Sequence, residues 1–330
     1  MSRAGGIDAR KTSDDPLVGD GHGIDHLMIV VESLPTAARD FQDKLGFAIV
    51  HGEKHASGTE NKSILLEEEE YLELLALYNR EGGSPDIAEI DRFLSKGEGA
   101  IGFGVQISSA ERAASYLRAK GIGVVESSGS AVALPGDDEP PPVLHKTVLV
   151  RTGQPLVDEV FFLHETDKKA WDELRLRHPE LPDYSVKPEH PNTAIGALHP
   201  WLAVADLPAA AQAYESVGFP KVREAHFRGL DSDAVEVRIG KGSLLLVGGG
   251  SPGGPVEKYL SQRDASYGLI GISLQVGSLE RALERIQNDL ASQLKRYEGL
   301  FGSSILIPAT AAHGVWMELF ESRTAKRESD

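Results

Sequence analysis

Two histidine–carboxylate pairs lie on apolar stretches of this chain: His26 with Glu73, and His199 with Glu318. A His or Glu set among strand-forming apolar residues is costly unless it is hydrogen-bonded, paired or bound to a metal. There is no cysteine, which excludes thiol catalysis, disulfides and thiolate metal sites. Any transition ion must be held by His, Asp or Glu, a donor set suited to Zn, Fe, Mn or Ni. Two such ligands hold an ion weakly, and three are usual in catalytic sites. Several other residues could contribute. His55 and His226 occupy matching places after a second strand and serve either as turn caps or as substrate contacts. His164 in FFLHE and His313 are further imidazoles, and Tyr71, Trp201, Trp316 and Phe320 line cavities or fill core.

These residues belong to a repeat. GIDHLMIVVESLPTAARDF from Gly23 aligns without gaps on GALHPWLAVADLPAAAQAY from Gly196, placing His26 on His199 and Pro35 on Pro208. EKHASG at Glu53 matches EAHFRG at Glu224, GGSP at Gly82 recurs at Gly249, and IGFGVQISSAERA from Ile101 matches IGISLQVGSLERA from Ile270. Residues 23–120 and 196–290 are therefore two copies of one unit.

Each copy divides again into an apolar run, a helix and further strand-like runs. SLPTAARDFQDKLGF has Pro in its first turn and Gly near its end. SSAERAASYLRAKGIGV has Ser caps, an amphipathic pattern and a Gly stop. The predicted class is α+β, with four βαβββ modules at 23–78, 98–166, 196–248 and 267–321. Two domains follow, at 23–166 and 196–321, with a linker at 167–195 that includes His190 and Asn192. Flexible ends are expected at 1–22, which includes His22, and at 322–330. Alternation puts His26, Met28 and Val30 on one strand face, and Tyr71, Glu73 and Leu75 on another. The acidic run from Glu67 to Glu70 reads as a solvated hairpin tip, and GGGSPGG from Gly248 as a connector, because it lacks the Lys of a phosphate loop.

At IDHLMIVV, GEKHASGTEN and YLELLAL the chain resembles the vicinal oxygen chelate superfamily, and within it the glyoxalase-like domain group. That resemblance covers nearly all of 23–321. It implies modules paired into two half-barrel domains, a divalent metal inside each curved sheet, and a substrate that chelates the metal through adjacent oxygens. Its usual ligands are a His on the first strand and a Glu on the last strand of a module. By position these fall on His26 and Glu73 in module one, Gly102 and approximately Phe162 in module two, His199 and Leu245 in module three, and Gly271 and Glu318 in module four. Pairing of neighbouring modules and pairing of module one with module four both remain open, the linker favouring neighbours.

The resemblance thus implies metal ligands at His26, Glu73, His199 and Glu318. Catalytic candidates are Glu73, as a base, and His55. Tyr71, His164 and Trp316 are candidate substrate contacts. Metal-dependent lyase or isomerase chemistry on a small oxygenated molecule is the leading expectation. The alternatives are a metal-free binding or sequestering protein and a ring-cleaving dioxygenase. The last needs two His and one Glu across paired modules, and Gly102 and Gly271 remove one His from each half.

Composition narrows the partners. The formal charge of −16, from 50 acidic against 34 basic residues, disfavours nucleic acid and anionic membranes. No apolar run reaches the ~20 residues needed to span a bilayer, and the first residues lack a signal-peptide core. A cytoplasmic protein with a small-molecule substrate is expected, with a homodimer open.

Overall fold

A computed structural model of the chain describes residues 15–55, 57–67, 70–81, 85–130, 143–151, 160–165, 168–178, 186–286, 290 and 292–322. The ends at 1–14 and 323–330, and the middle of the acidic run at 68–69, lie outside these. Module one comprises β1 (Ile24–Val30), α1 (Leu34–Arg39, continued by a π-helical turn at Asp40–Lys44), β2 (Val50–Lys54), β3 (Thr59–Leu65) and β4 (Tyr71–Leu77). A helix unforeseen in the sequence reading, α2 (Pro85–Leu94), leads to module two: β5 (Gly99–Gln106), α3 (Ala110–Ala119), β6 (Gly123–Ser130), β7 (Val143–Arg151) and β8 (Val160–Glu165). The connection holds α4 (Lys168–Arg177).

Module three is β9 (Ala194–Val204), α5 (Leu207–Val217), β10 (Lys221–Phe227), β11 (Ser232–Ile239) and β12 (Gly242–Gly248). After α6 (Pro255–Arg263) comes module four: β13 (Tyr267–Val276), α7 (Leu279–Arg285), β14 (Lys295–Glu298), β15 (Gly302–Ile307) and β16 (Trp316–Ser322). The helix starts are built as their sequences suggest. Ser109 Oγ accepts from Arg112 N in α3, Asp206 Oδ1 from Ala209 N in α5, and Ser278 Oγ from Arg281 N in α7. Gly218, at φ +123°, stops α5 in a conformation open to glycine.

The strands form two eight-stranded sheets, ordered β2-β3-β4-β1-β5-β8-β7-β6 and β10-β11-β12-β9-β13-β16-β15-β14. Each sheet joins two modules through their first strands, antiparallel at β1–β5 and at β9–β13. Neighbouring modules therefore pair, and modules one and four do not share a sheet. One face of each sheet carries the helices. Leu27, Ile29, Leu72, Phe103 and Phe162 from the first sheet and Leu202, Leu246, Ile272 and Leu274 from the second belong to a single buried cluster with Phe41, Leu117 and Tyr214. The two halves thus share one core on their helix sides.

Three stretches are more ordered than their sequences suggested. Leu17 and Val18 are buried in the shared core, Asp15 Oδ1 accepts from both of their amides, and Val18 O accepts from Ser108 N. Within the linker, His190 Nδ1 accepts from Ala48 N and its Nε2 donates to Leu65 O, while Asn192 Nδ2 donates to Leu45 O. Glu70 is buried and its Oε2 accepts from Leu198 N, so this end of the acidic run grips β9 instead of facing water. No helix among the described residues is long and apolar enough to cross a membrane.

Candidate functional site

The concave face of the first sheet gathers the chemistry. Register sets His26 beside Tyr71, Met28 beside Glu73, and His26 opposite Gly104. His26 and Glu73 are both buried, at 4% and 8% exposure. An irregularity in β1 between Ile24 and His26 accompanies the approach of the Asp25 carboxylate to the His26 ring, where Oδ1 lies 2.5 Å from Nδ1. On the other residue, Glu73 Oε1 accepts from Asn61 Nδ2 at 2.6 Å, and Asn61 is itself fixed by Glu53 N donating to its Oδ1. The two remaining donor atoms, His26 Nε2 and Glu73 Oε2, face each other 3.9 Å apart.

Aromatic rings fix the imidazole from two sides. Tyr71 stacks on it at 4.5 Å and 16°, and Phe161 meets it edge-on at 5.2 Å. Gly104 leaves room for the ring, because a Cβ there would lie 2.7 Å from His26 Cε1. Burial acts against the His26 imidazolium. The Asp25 hydrogen bond and the charges of Asp25 and Glu73 outweigh it and hold the pKa above the ordinary value.

This geometry fits an ion held by two protein donors. Ligand atoms each about 2.0–2.2 Å from one ion stand about 3.3–3.6 Å apart at the tetrahedral angle and at most about 4.4 Å apart in line, so the pair at 3.9 Å would close by a few tenths of an ångström around a tetrahedral ion. Asp25 and Asn61 occupy the outer positions that orient metal-binding side chains. Among the described residues no third His, Asp or Glu completes a cluster, so further positions on an ion would fall to substrate or water.

The rest of this face is open. Met28, Asn61, His145, Thr147, Leu149, Phe161 and Leu163 are half-buried. His145 escaped the sequence reading. Leu149 pairs with Phe161, and counting back along β7 puts His145 on the concave side. Its ring lies over Gly129, where a Cβ would clash with it. Burial lowers its pKa, the charge of His26 lowers it further, and Asp25 acts in the opposite sense.

The second sheet places its matching residues differently. His199 stacks on Phe301 at 4.0 Å and also on Phe320 at 5.9 Å, and its Nδ1 has no hydrogen-bond partner among the described residues. Burial pushes its pKa down to about 4, against the opposing charge of Glu236. Glu318 is fully buried and both its oxygens are engaged, Oε2 by Ser273 Oγ and Oε1 by the Tyr297 hydroxyl, each at 2.5 Å. Trp201 Nε1 donates in turn to Ser273 Oγ. Burial raises the Glu318 pKa, and hydrogen bonds from Ser273, Tyr297 and Ser304 only partly oppose it. His199 and Glu318 are thus committed to separate neighbours. Trp201, Phe227, Leu245, Val247 and Ile270 fill the interior, with Trp316 packed against them.

The other expected contacts fall as follows. Tyr71 joins the His26 site. Trp316 belongs to the filled interior, beside Gly271. His164 pairs with Lys146, on the face of Phe162 and Val148, away from His26. The position matching Glu73 in module two is Phe161, beside Gly104, and not Phe162. That one-residue difference reverses the face of every side chain in β8 and removes His164 from the site. His55 sits in the β2–β3 hairpin, its Nδ1 within 2.7 Å of Thr59 Oγ1, and it receives the Tyr78 hydroxyl at its carbonyl. Thr59 pairs with Leu77, four residues or about 13 Å along β4 from Glu73.

Two curved sheets, each made from paired βαβββ modules with polar groups on the concave face, define a glyoxalase-like architecture. A glyoxalase-like domain family model matches residues 24–218, and the chain belongs to that family, within the vicinal oxygen chelate superfamily. Solved structures share the fold at low identity. A mutant 4-hydroxymandelate synthase from Streptomyces coelicolor is 12% identical with a TM-score of 0.61, over 92% of this chain and 93% of that one. Homoprotocatechuate 2,3-dioxygenase from Brevibacterium fuscum, in complex with 3,4-dihydroxyphenylacetate, is 12% identical with a TM-score of 0.54, over 92% and 81%. A hypothetical protein from Staphylococcus aureus is 11% identical with a TM-score of 0.53, over 90% and 98%. No curated protein sequence matches the chain.

Proposed function

We propose that the first half binds a small oxygenated molecule on its concave face and acts on it as a metal-dependent lyase or isomerase. One observation carries this reading: His26 Nε2 and Glu73 Oε2 converge, while every other donor atom of the two side chains is held in place. His26 and Glu73 would hold a divalent ion of the Zn, Fe, Mn or Ni type, which as a Lewis acid stabilises negative charge developing on a substrate oxygen. Glu73, with Oε1 anchored to Asn61, would take a proton from a bound carbon acid through Oε2 once that oxygen is off the ion. Tyr71 and Phe161 keep the imidazole from rotating, so its free nitrogen stays aimed at the cleft. Protons compete for that nitrogen, so acidification weakens metal binding.

A metal-free binding protein is the second reading, favoured by two protein donors instead of three among the described residues. Ring cleavage through two His and one Glu lacks its second His, at Gly102.

The test is elemental analysis of protein purified without chelators. About one equivalent of metal is expected in wild type, and little in His26→Ala or Glu73→Gln. A wild-type protein that is metal-free and takes up none of the four ions sinks the metal reading and leaves the binding protein.

A further inference from the structure

Helix α2 walls one end of the first cleft. Its Ile90 and Leu94 pack on Leu75 and Val30, with Phe93 against the same group, and Leu75 lies two residues beyond Glu73 on the same strand face. The matching helix of the second half, α6, sends Val256, Tyr259 and Leu260 into that half's filled interior. Counting back from the matched Ile101 and Ile270, Arg263 of α6 stands where α2 has Leu94. It crosses to the first half.

The Arg263 guanidinium lies 3.7 Å from the centre of the Phe93 ring. Its Nη1 donates to Phe93 O at 3.1 Å and its Nη2 to Glu98 O at 2.7 Å. The first of these is a carbonyl of the last helical turn, which also accepts from Lys96 N at 3.1 Å, so the guanidinium adds a second donor to it. The grip is reciprocal, since Lys96 Nζ donates to Arg263 O at 2.6 Å and Gln262 Nε2 to Lys96 O at 3.1 Å. Gly99 makes room for it, because a Cβ there would stand 2.7 Å from Arg263 Nη2. Beside it His313, also from the second half, bonds Glu98 through Nδ1 at 2.8 Å and faces Asp40 through Nε2 at 3.3 Å. One planar cation thus holds the end of α2 by stacking and one directed hydrogen bond, and the turn leading to β5 by a second, a geometry lysine does not reproduce.

We propose that Arg263 is a positioning residue for the first-half site: it fixes α2 as the end wall of the cleft, so the filled second half acts on the His26–Glu73 pair through this helix. The link to the pair rests on the metal reading above, whereas the hold on α2 does not.

The experiment is hydrogen exchange and Mn2+ binding, read by electron paramagnetic resonance, on the full chain as wild type, Arg263→Gln and Arg263→Lys. In Arg263→Gln, amides of 88–97 should exchange at least tenfold faster, while β9 and β13 keep wild-type protection. Mn2+ should bind severalfold more weakly at unchanged stoichiometry, and Arg263→Lys should fall between. Protection of 88–97 within twofold of wild type overturns the proposal, as does an equal loss across both halves. A loosened α2 with unchanged Mn2+ affinity overturns the positioning role. Wild type that binds no Mn2+ counts against Mn2+ in the functional reading, and exchange still judges the hold on α2.

Discussion

The two concave faces descend from one repeat and now differ in what occupies them. At the place where the first half has Glu73, with a free oxygen aimed at His26, the second has Leu245, fully buried. Facing strands supply Gly104 and Phe161 in the first half, and Ser273 and Glu318 in the second. The first half leaves donor atoms uncommitted beside a half-open surface, whereas the second spends its polar atoms on each other and closes with aromatic rings. A carboxylate at a family position is therefore no guide to chemistry until its partners are counted. Glu318 is the better buried of the two and the worse candidate for a ligand.

Exchanging the residues at the one position where the halves differ most is the strongest way to break this contrast. Leu245→Glu should destabilise the protein by about 3 kcal/mol or more, because a carboxylate would enter an apolar interior unpaired. Glu73→Leu should cost less, about 1–2 kcal/mol, because it strands Asn61 Nδ2 beside a half-open surface, while removing any bound metal. Equal costs in urea unfolding would mean that the interiors are not so different.

Next in size is the Glu318 network. Glu318→Ala strands the Tyr297 hydroxyl and Ser273, and should cost about 2–3 kcal/mol. Glu318→Gln retains an acceptor and should cost clearly less. A metal equivalent lost from either variant, with that of His26 intact, would show the second half to be a site after all.

His199 sharpens the comparison through pH. Its folded-state pKa of about 4 lies below its ordinary 6.5. Between those values the unfolded chain binds more protons, so stability drops as pH falls through that window. His199→Phe should remove about 2 kcal/mol of the loss between pH 7 and 5, seen as a flatter dependence of the urea midpoint on pH. An unchanged slope would show that His199 is hydrated or partnered.

The smallest effect expected is at the seam between halves. The hydrogen bond from His313 holds Glu98 below the usual carboxylate range despite partial burial. This contribution is present above the ordinary carboxylate pKa near 4.5 and is lost as pH falls through the lowered value. Its partial exposure limits it to about 1 kcal/mol or less. The melting-temperature gap between wild type and His313→Gln should narrow as pH falls below about 4.5.

Much of the fold was legible because the repeat aligns without gaps through His26 and His199, and because apolar runs mark first strands. The sheet order was not, since nothing in either first strand states which neighbour it meets. Within the site, His26, Tyr71 and Glu73 were readable by alternation inside short, well-bounded strands. Phe161 was not, because alternation counted along earlier strands does not fix the parity of β8, and a slip of one residue brought His164 forward in error. Asp25 stood next to His26 in plain view, yet its reach to Nδ1 accompanies a strand irregularity that alternation does not foresee. His145 and Asn61 contribute through register with strands distant in sequence. Leu17, Val18 and Glu70 sit in segments whose composition reads as solvent-facing, and tertiary contacts overrule it.

The single apolar cluster that runs through both halves has a thermodynamic consequence. Neither sheet can shed its partner without wetting its own helix side, so heating should melt the chain as one cooperative unit and not as two domains in turn. A calorimetric trace with one peak, and a van't Hoff enthalpy equal to the measured heat, would mark it. The first half then draws its rigidity from twice its own length of chain.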